Sequence, residues 1–467
     1  MASLAGFANI GKVPELRRRV LYTLFMLAVY RVGVFVTIPG VDRNVMQSLM
    51  QKQGGGLLGM FNLFSGGALS NLSIFALGIM PYVSASIILQ LLAMVFKPLE
   101  ELRKEGEAGM RKINQYTRYG TLAISGFQGF LLARSVEGAN NADTAGSFLG
   151  DVVSHPGWGF RIMTMITLTT GAAFMMWVGE QITERGVGNG ISLIIFAGIV
   201  VRMPSAIFGL FDQLRSGNLK ILTLIGILGF MVAIIALIVF VERAQRRIPV
   251  QYAKRVVGRR VYGGQNTYLP LRVNTGGVIP IIFAISIIQL PAYVAQLSGT
   301  DWMKKVSSSL GQGQPLYVVL YTFGILFFCY FYTSIVFNPT DTADNMRKYG
   351  GFIPGIRPGQ KTADYIDTVL SRLTIIGALY LAFVALLPDF LASGFKVQSI
   401  PWIGPALDTV LPQFFTQGLN VPFYFGGTSL LIVVGVAMDT VQQVESKLVE
   451  HHYTGFLKKS RIRGRRS

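Results

Sequence analysis

The residues best suited to do chemistry in this sequence are its guanidinium groups, clustered rather than spread. Arg243, Arg246 and Arg247 are followed by Lys254-Arg255 and Arg259-Arg260, interleaved with Tyr252 and followed by Tyr262. Between 242 and 274 eight basic residues face a single acidic one, Glu242. Arginines grouped in this way suit planar, bidentate recognition of phosphate or carboxylate, and the excess exceeds what membrane anchoring needs. A macromolecular partner is therefore expected there. Groups for bond-making are missing. The three histidines, His155, His451 and His452, fall in loops or the tail, and there is neither a His-Glu-x-x-His helix nor a Gly-x-Ser-x-Gly elbow. The glycine run 186–190 follows no strand, so it reads as a turn rather than a phosphate cradle. Asn71-Leu72-Ser73 matches a glycosylation acceptor, but its place at the mouth of an apolar run makes a helix cap the better reading. The lone cysteine, Cys329, supports neither an intrachain disulfide nor a thiolate metal site.

A second set of residues is notable for carrying no charge. Branched aliphatics recur at helical spacing: Ile79, Val83 and Ile87; Ile191 and Ile195; Val278 and Ile282. Such a stripe faces lipid, packs against a neighbour or lines a pore, and spacing alone does not choose among these.

The elements that position both sets are membrane spans. Of 467 residues, 51% are hydrophobic and only 14% charged, against about 25% charged in an average soluble chain. Mean hydropathy is +0.49, and glycine is abundant at 53 residues. Ten apolar runs are long enough to cross about 30 Å of hydrocarbon. They lie near 20–39, 72–96, 118–136, 160–181, 190–209, 220–241, 276–297, 316–337, 370–390 and 422–441. Pro81, Pro280 and Pro291 sit within them. With ten spans, 31 of the 42 lysines and arginines fall on one side and 10 on the other, with Arg31 inside the first span. By the positive-inside rule both termini are then cytoplasmic. The first run contains Arg31 and continues into Ile38-Pro39-Gly40 without a small-residue cleavage site, so it is expected to remain a span. No acidic group lies near a span centre, since Glu180 and Asp439 are near ends, which disfavours an ion-coupled transporter. A further apolar stretch, 57–70, is too short to span and directly precedes the second run. It reads as a re-entrant half-helix or as an external surface helix.

Long stretches of the chain resemble the bacterial SecY family of protein-secretion channels. They are 61–92, 104–121, 179–200, 241–255, 337–360 and 422–439, so the similarity covers nearly the whole chain. The resemblance implies an all-α membrane protein, with ten transmembrane helices in two inverted five-helix halves forming a clamshell around a central pore. The halves would be 20–210 and 211–441, after an N-terminal arm 1–19 and before a basic tail 442–467. It implies that 57–70 is a plug half-helix, with Phe61, Leu63, Phe64, Ser65, Gly66, Gly67 and Leu69 filling the external funnel. It implies a pore ring of Ile79, Val83, Ile191, Ile195, Ile282 and Ile432. Val83 departs from the isoleucine that relatives often have. A sideways gate between the second and seventh spans would use Ile87, Gln90, Ser286 and Gln289. The loops 242–274 and 338–372 would dock partners through Arg243, Arg246, Arg247, Arg255, Arg259, Arg260 and Arg357. The implied partners are the small subunits SecE and SecG, the SecA motor ATPase, the ribosome through its RNA phosphates, the nascent chain, signal peptides and anionic lipids. The implied location is the bacterial cytoplasmic membrane, with no cofactor and no catalysis. The external segment 391–421 looks longer than in many relatives and is expected to add an outer helix. A secondary transporter with inverted repeats is the alternative function.

Overall fold

The structure is a computed structural model. It describes residues 13–52, 62, 65–141, 152–217, 220–252, 255–257, 260–262, 267–297, 309–311, 314–393 and 427–459. Each of the ten expected spans falls on a helix: α1 (Pro14–Gly33), α3 (Met80–Val95), α5 (Glu107–Asn141), α6 (Trp158–Arg185), α7 (Gly190–Val200) with α8 (Met203–Arg215), α9 (Ile221–Arg243), α10 (Ile279–Leu297), α11 (Pro315–Val336), α13 (Gln360–Ser393) and α14 (Gly427–Lys459). Between them lie short helices α2 (Arg43–Lys52), α4 (Lys97–Lys104) and α12 (Pro339–Lys348). Six described helical stretches are long and apolar enough to span, Gly190–Arg215 and Pro315–Lys348 each taking in two of these helices, and the pair α3 and α4, bent by 97°, makes a seventh if counted as one span.

Prolines explain several boundaries. Pro81 and Pro280, which lie inside apolar runs, do not interrupt helices. They stand in the first turn of α3 and α10, where a missing N–H costs nothing. Pro204 lacks the N–H that would bond the Val200 carbonyl, so the fifth span is two helices, broken at Val201 and Arg202. Pro98 likewise ends α3 at Val95.

The chain divides into two compact units. The first takes Met1–Phe208, Leu290–Ser307 and Val436–Ser467, and the second takes Gly209–Gln289 and Ser308–Gly435. In the first unit α5 and α6 form an antiparallel hairpin held at both ends by ion pairs. Arg118 donates from Nε to Glu180 Oε1 at 2.9 Å and from Nη2 to Oε2 at 2.8 Å. Arg161 Nε donates to Glu137 Oε2 at 2.5 Å. The pairs are 19 residues apart on either helix, about 28 Å at 1.5 Å per residue, which matches the thickness of the hydrocarbon core. Trp158, 66% exposed beside the second pair, suits the headgroup level.

The second span begins later than the sequence suggested. Residues 65–79 run in turns, with Gly66, Gly67, Leu72 and Gly78 all at positive φ, and the helix starts only at Met80. This segment is tied to the strand-like stretch after α1. Ile38 N donates to Leu72 O at 3.0 Å and Ile74 N to Val36 O at 3.0 Å. Asn71 is not a helix cap. It is buried, and its Oδ1 accepts from Gln47 Nε2 at 2.8 Å and Arg43 Nε at 3.2 Å. An apolar cluster of Ile38, Leu69, Leu72, Leu132, Val136, Val153 and Phe160, among others, fills this end of the unit.

The second unit holds a feature that the sequence reading treated as loop. β1 (Gln245–Tyr252) pairs antiparallel with β4 (Thr267–Arg272) and with β5 (Gly351–Phe352), giving sheet order β4-β1-β5. Between them β2 (Arg255–Val257) and β3 (Arg260–Tyr262) make a small hairpin. Ile248, Leu271, Ile353, Ile366 and Val369 form a core beneath the sheet. The loops 242–274 and 338–372 are thus joined through backbone hydrogen bonds. The segment 391–421 lies almost entirely outside the described residues.

Candidate functional site

In the first unit, two seal candidates meet. α6 and α7 are linked by the turn 186–190, whose amides are capped by side chains. Thr23 Oγ1 accepts from Val187 N at 3.1 Å, Gln443 Oε1 from Gly188 N at 3.1 Å and Thr183 Oγ1 from Gly190 N at 2.9 Å. Asn189 Oδ1 then caps α7 by accepting from Ile191 N at 3.1 Å. No amide of 187, 188, 190 or 191 is left to cradle a phosphate. The turn brings Gly190 so close to α6 that a Cβ there would lie 1.9 Å from the Gly179 carbonyl oxygen. This contact sets the start of α7. At the same level a Cβ on Gly179 would touch Ile79 Cδ1 at 3.4 Å and Ile191 Cγ1 at 3.6 Å. Ile79 and Ile191 are therefore neighbours across a gap that a glycine leaves open. Ile79, Val83 and Ile195 are buried and Ile191 is half-buried.

In the second unit α10 and α14 approach at Gly435, where a Cβ would fall 2.2 Å from Val278 Cγ2. Ile282 is one turn along α10 from that contact and Ile432 one turn back along α14. Both are buried, at 5% and 0% exposure. Among the described residues no Asp, Glu, Lys, Arg or His stands next to any of these six positions in the chain.

The four gate candidates behave differently from one another. Ile87 is buried. Gln90 Nε2 donates to Ser86 Oγ at 3.0 Å and Ser286 Oγ to Ile282 O at 2.7 Å, so both are satisfied within their own helices. Gln289 is 3% exposed, and neither atom of its amide has a partner.

Of the plug candidates, Phe61, Leu63 and Phe64 lie outside the described residues. Ser65, Gly66, Gly67 and Leu69 are in turns, and the two glycines, at φ +64° and +89°, account for the absence of helix there. Sequence reasoning missed what holds this segment. Tyr30 Oη donates to Ser65 O at 3.0 Å and Arg31 Nη1 to Gly66 O at 3.0 Å. Gly66 must be glycine, because a Cβ would fall 2.8 Å from the Gly198 Cα. The sequence places Arg31 inside the first apolar run, 20–39. It lies in the last turn of α1, pointing a donor at this turn. Its conspicuous position in an apolar run was the available signal.

The described docking candidates lie on the strands and on the helix end and turn that flank them. Arg243, Arg246 and Arg247 are exposed at the end of α9 and on β1. Arg255 and Arg260 lie on β2 and β3, opposite Tyr262 and Val257, and Arg259 is outside the described residues. Arg357 is exposed in a turn between Gly355 and Gly359, at φ +81° and +106°. Its carbonyl accepts from Thr362 Oγ1 at 2.9 Å, which anchors the turn to α13.

These features define a class, a multi-pass helical membrane protein with the fold of the protein-conducting channels. A solved protein-conducting channel superposes with a TM-score of 0.62 at 15% identity, covering 96% of this chain and 98% of its own. Sec61 from a canine ribosome-channel complex of the endoplasmic reticulum superposes at 0.58 with 14% identity, covering 96% and 97%. The family model for SecY matches residues 73–441. The protein translocase subunit SecY of Escherichia coli K12 is 49% identical over 458 residues, 97% of this chain and 96% of that relative. The chain belongs to the SecY family.

Proposed function

We propose that this chain is the channel subunit of a protein translocase, passing unfolded polypeptides across the membrane and releasing apolar helices sideways into lipid. The observation that carries the reading is the 49% identity, over nearly the full length, to a translocase subunit, in a chain whose aliphatic candidates are uncharged and, half-buried Ile191 aside, buried. Ile79, Val83, Ile191, Ile195, Ile282 and Ile432 act as the seal. A narrow ring of branched aliphatic side chains dewets, which blocks ions, and offers a sliding chain no hydrogen bonds to hold it. The segment 57–70 acts as the plug, with Tyr30 and Arg31 retaining its base at rest. Gln90, Ser286 and Gln289 mark the gate. Interhelical hydrogen bonds in membranes contribute only about 0.6–2 kcal/mol, and here two of the groups are satisfied inside their own helices, so an entering apolar signal peptide displaces little.

The halves 20–210 and 211–441 carry this channel in the bacterial cytoplasmic membrane, with both termini in the cytoplasm. The sheet of β1, β4 and β5 serves as a docking platform. Its arginines meet ribosomal RNA phosphates or acidic surface on the SecA motor. The solved canine channel lies in a ribosome complex, which supports the first of these. SecE and SecG complete the membrane part, and anionic lipids balance the basic cytoplasmic face. The chain performs no catalysis, and the driving force comes from the partner.

The test is reconstitution into vesicles. With SecE, SecG, the motor and ATP, a secretory precursor becomes protease-protected; vesicles holding this chain alone show no gradient-driven uptake of small solutes. Coupled solute uptake by the chain alone would overturn the reading in favour of a secondary transporter.

A further inference from the structure

Two cations share one exposed aromatic ring at the end of α1. The guanidinium carbon of Arg31 lies 5.5 Å and that of Arg43 5.7 Å from the centre of the Phe35 ring. Cations held near the same ring repel each other, so the arrangement favours an anion. Neither arginine is ion-paired among the described residues. The nearest acid in the chain, Asp42, is turned to its own helix, accepting from Asn44 N at 2.8 Å and Val45 N at 3.4 Å. Each arginine commits one nitrogen to the protein, Arg31 to Gly66 O at 3.0 Å and Arg43 to Asn71 Oδ1 at 3.2 Å. A guanidinium has five N–H donors, so both are oriented and both keep donors. Exposed apolar residues adjoin them in the chain: Val32, Phe35 and Val36 are 68%, 53% and 48% exposed.

The chain just after this surface is anchored by contacts of its own. Ser154 N donates to Gly40 O at 3.0 Å, and a Cβ on Gly40 would lie 3.8 Å from the Phe160 ring. Phe160 stands between Trp158 and Arg161, whose guanidinium carbon lies 5.3 Å from the Trp158 ring centre, at the membrane edge that the Arg161–Glu137 pair marks. Phe35 precedes Gly40 by five residues at this end of the first span, with oriented cations beside exposed hydrocarbon.

We infer that Arg31, Phe35 and Arg43 form a binding site for the phosphate of an anionic phospholipid, with Val32, Phe35 and Val36 against its acyl chain. A free phosphate satisfies the arginines equally but leaves the apolar surface unused, so the lipid is the occupant. The site needs no assumption about the pore or its traffic.

The test uses the full-length protein in bilayers containing a photoreactive phosphatidylglycerol, with adducts mapped by peptide. Labelling of the 32–43 stretch should fall about fivefold in Arg43→Gln, the value for one basic residue near a membrane surface, and largely return in Arg43→Lys. Labelling elsewhere on the chain should be unchanged, which shows that the variant is folded. Phe35→Ser, leaving both charges, should also lower it. Excess unlabelled phosphatidylglycerol should compete and inorganic phosphate should not. Unaltered labelling of 32–43 in Arg43→Gln would overturn the proposal. Displacement by inorganic phosphate alone would overturn it too, leaving a free-anion site.

Discussion

Ile282→Asn raises the resting ion conductance of membranes carrying this protein about tenfold or more, and Ile191→Asn does the same. Ile282 is 5% exposed. An amide placed there without a partner costs about 1–3 kcal/mol, so it recruits water if water is within reach. In a dewetted constriction this is the change that lets a water column form, and each 1.4 kcal/mol taken from the barrier is a tenfold gain in flux. Ile282→Leu keeps the seal because it adds no polar atom. Single-channel recording in planar bilayers reads the effect. Folded Ile282→Asn protein with wild-type conductance would place Ile282 in ordinary packing and remove it from the ring.

Arg357→Glu lowers motor-driven translocation about thirtyfold while leaving the helices intact. The side chain is exposed in a turn fixed by Gly355, Gly359 and Thr362, so the fold loses nothing large, within about 0.5 kcal/mol. Reversing a charge in a paired contact costs about 2 kcal/mol or more, which is roughly thirtyfold in affinity. Arg357→Lys recovers part of the rate, since an ammonium keeps the charge but not the planar fork. Protease protection of a precursor against time measures this, with the melting temperature as control. Normal translocation by Arg357→Glu would take Arg357 off the docking surface.

The spans were legible because hydrocarbon demands long apolar runs, and no soluble alternative produces ten of them. The breaks within spans were less so. The stop at Val200 was written in Pro204, but the late start at Met80 depends on positive φ at Gly66, Gly67, Leu72 and Gly78, and the apolar pattern runs straight through it. The sheet was half visible. Ile248 and Val250 alternate with exposed neighbours, as do Leu269 and Leu271, yet the basic residues drew the reading toward a loop. The strand Gly351–Phe352 is too short to carry any periodic signal. For the site, spacing placed Ile79, Val83 and Ile87 on one face but could not distinguish lipid from lumen. What the spacing also left unread is the closeness of Ile79 to Ile191, which Gly179 and Gly190 set because their missing side chains let the helices approach. The bonds from Tyr30 and Arg31 to the 65–66 turn had no signature beyond one arginine in an apolar run.

The most direct test of the central claim is site-specific photocrosslinking to a secretory chain stalled midway. A photoreactive side chain at Ile282 or Ile79 should give strong adducts to the stalled chain, and one at Leu222, 79% exposed on α9, should give adducts to lipid instead. Substrate adducts at Leu222 and none at Ile282 or Ile79 would contradict the account.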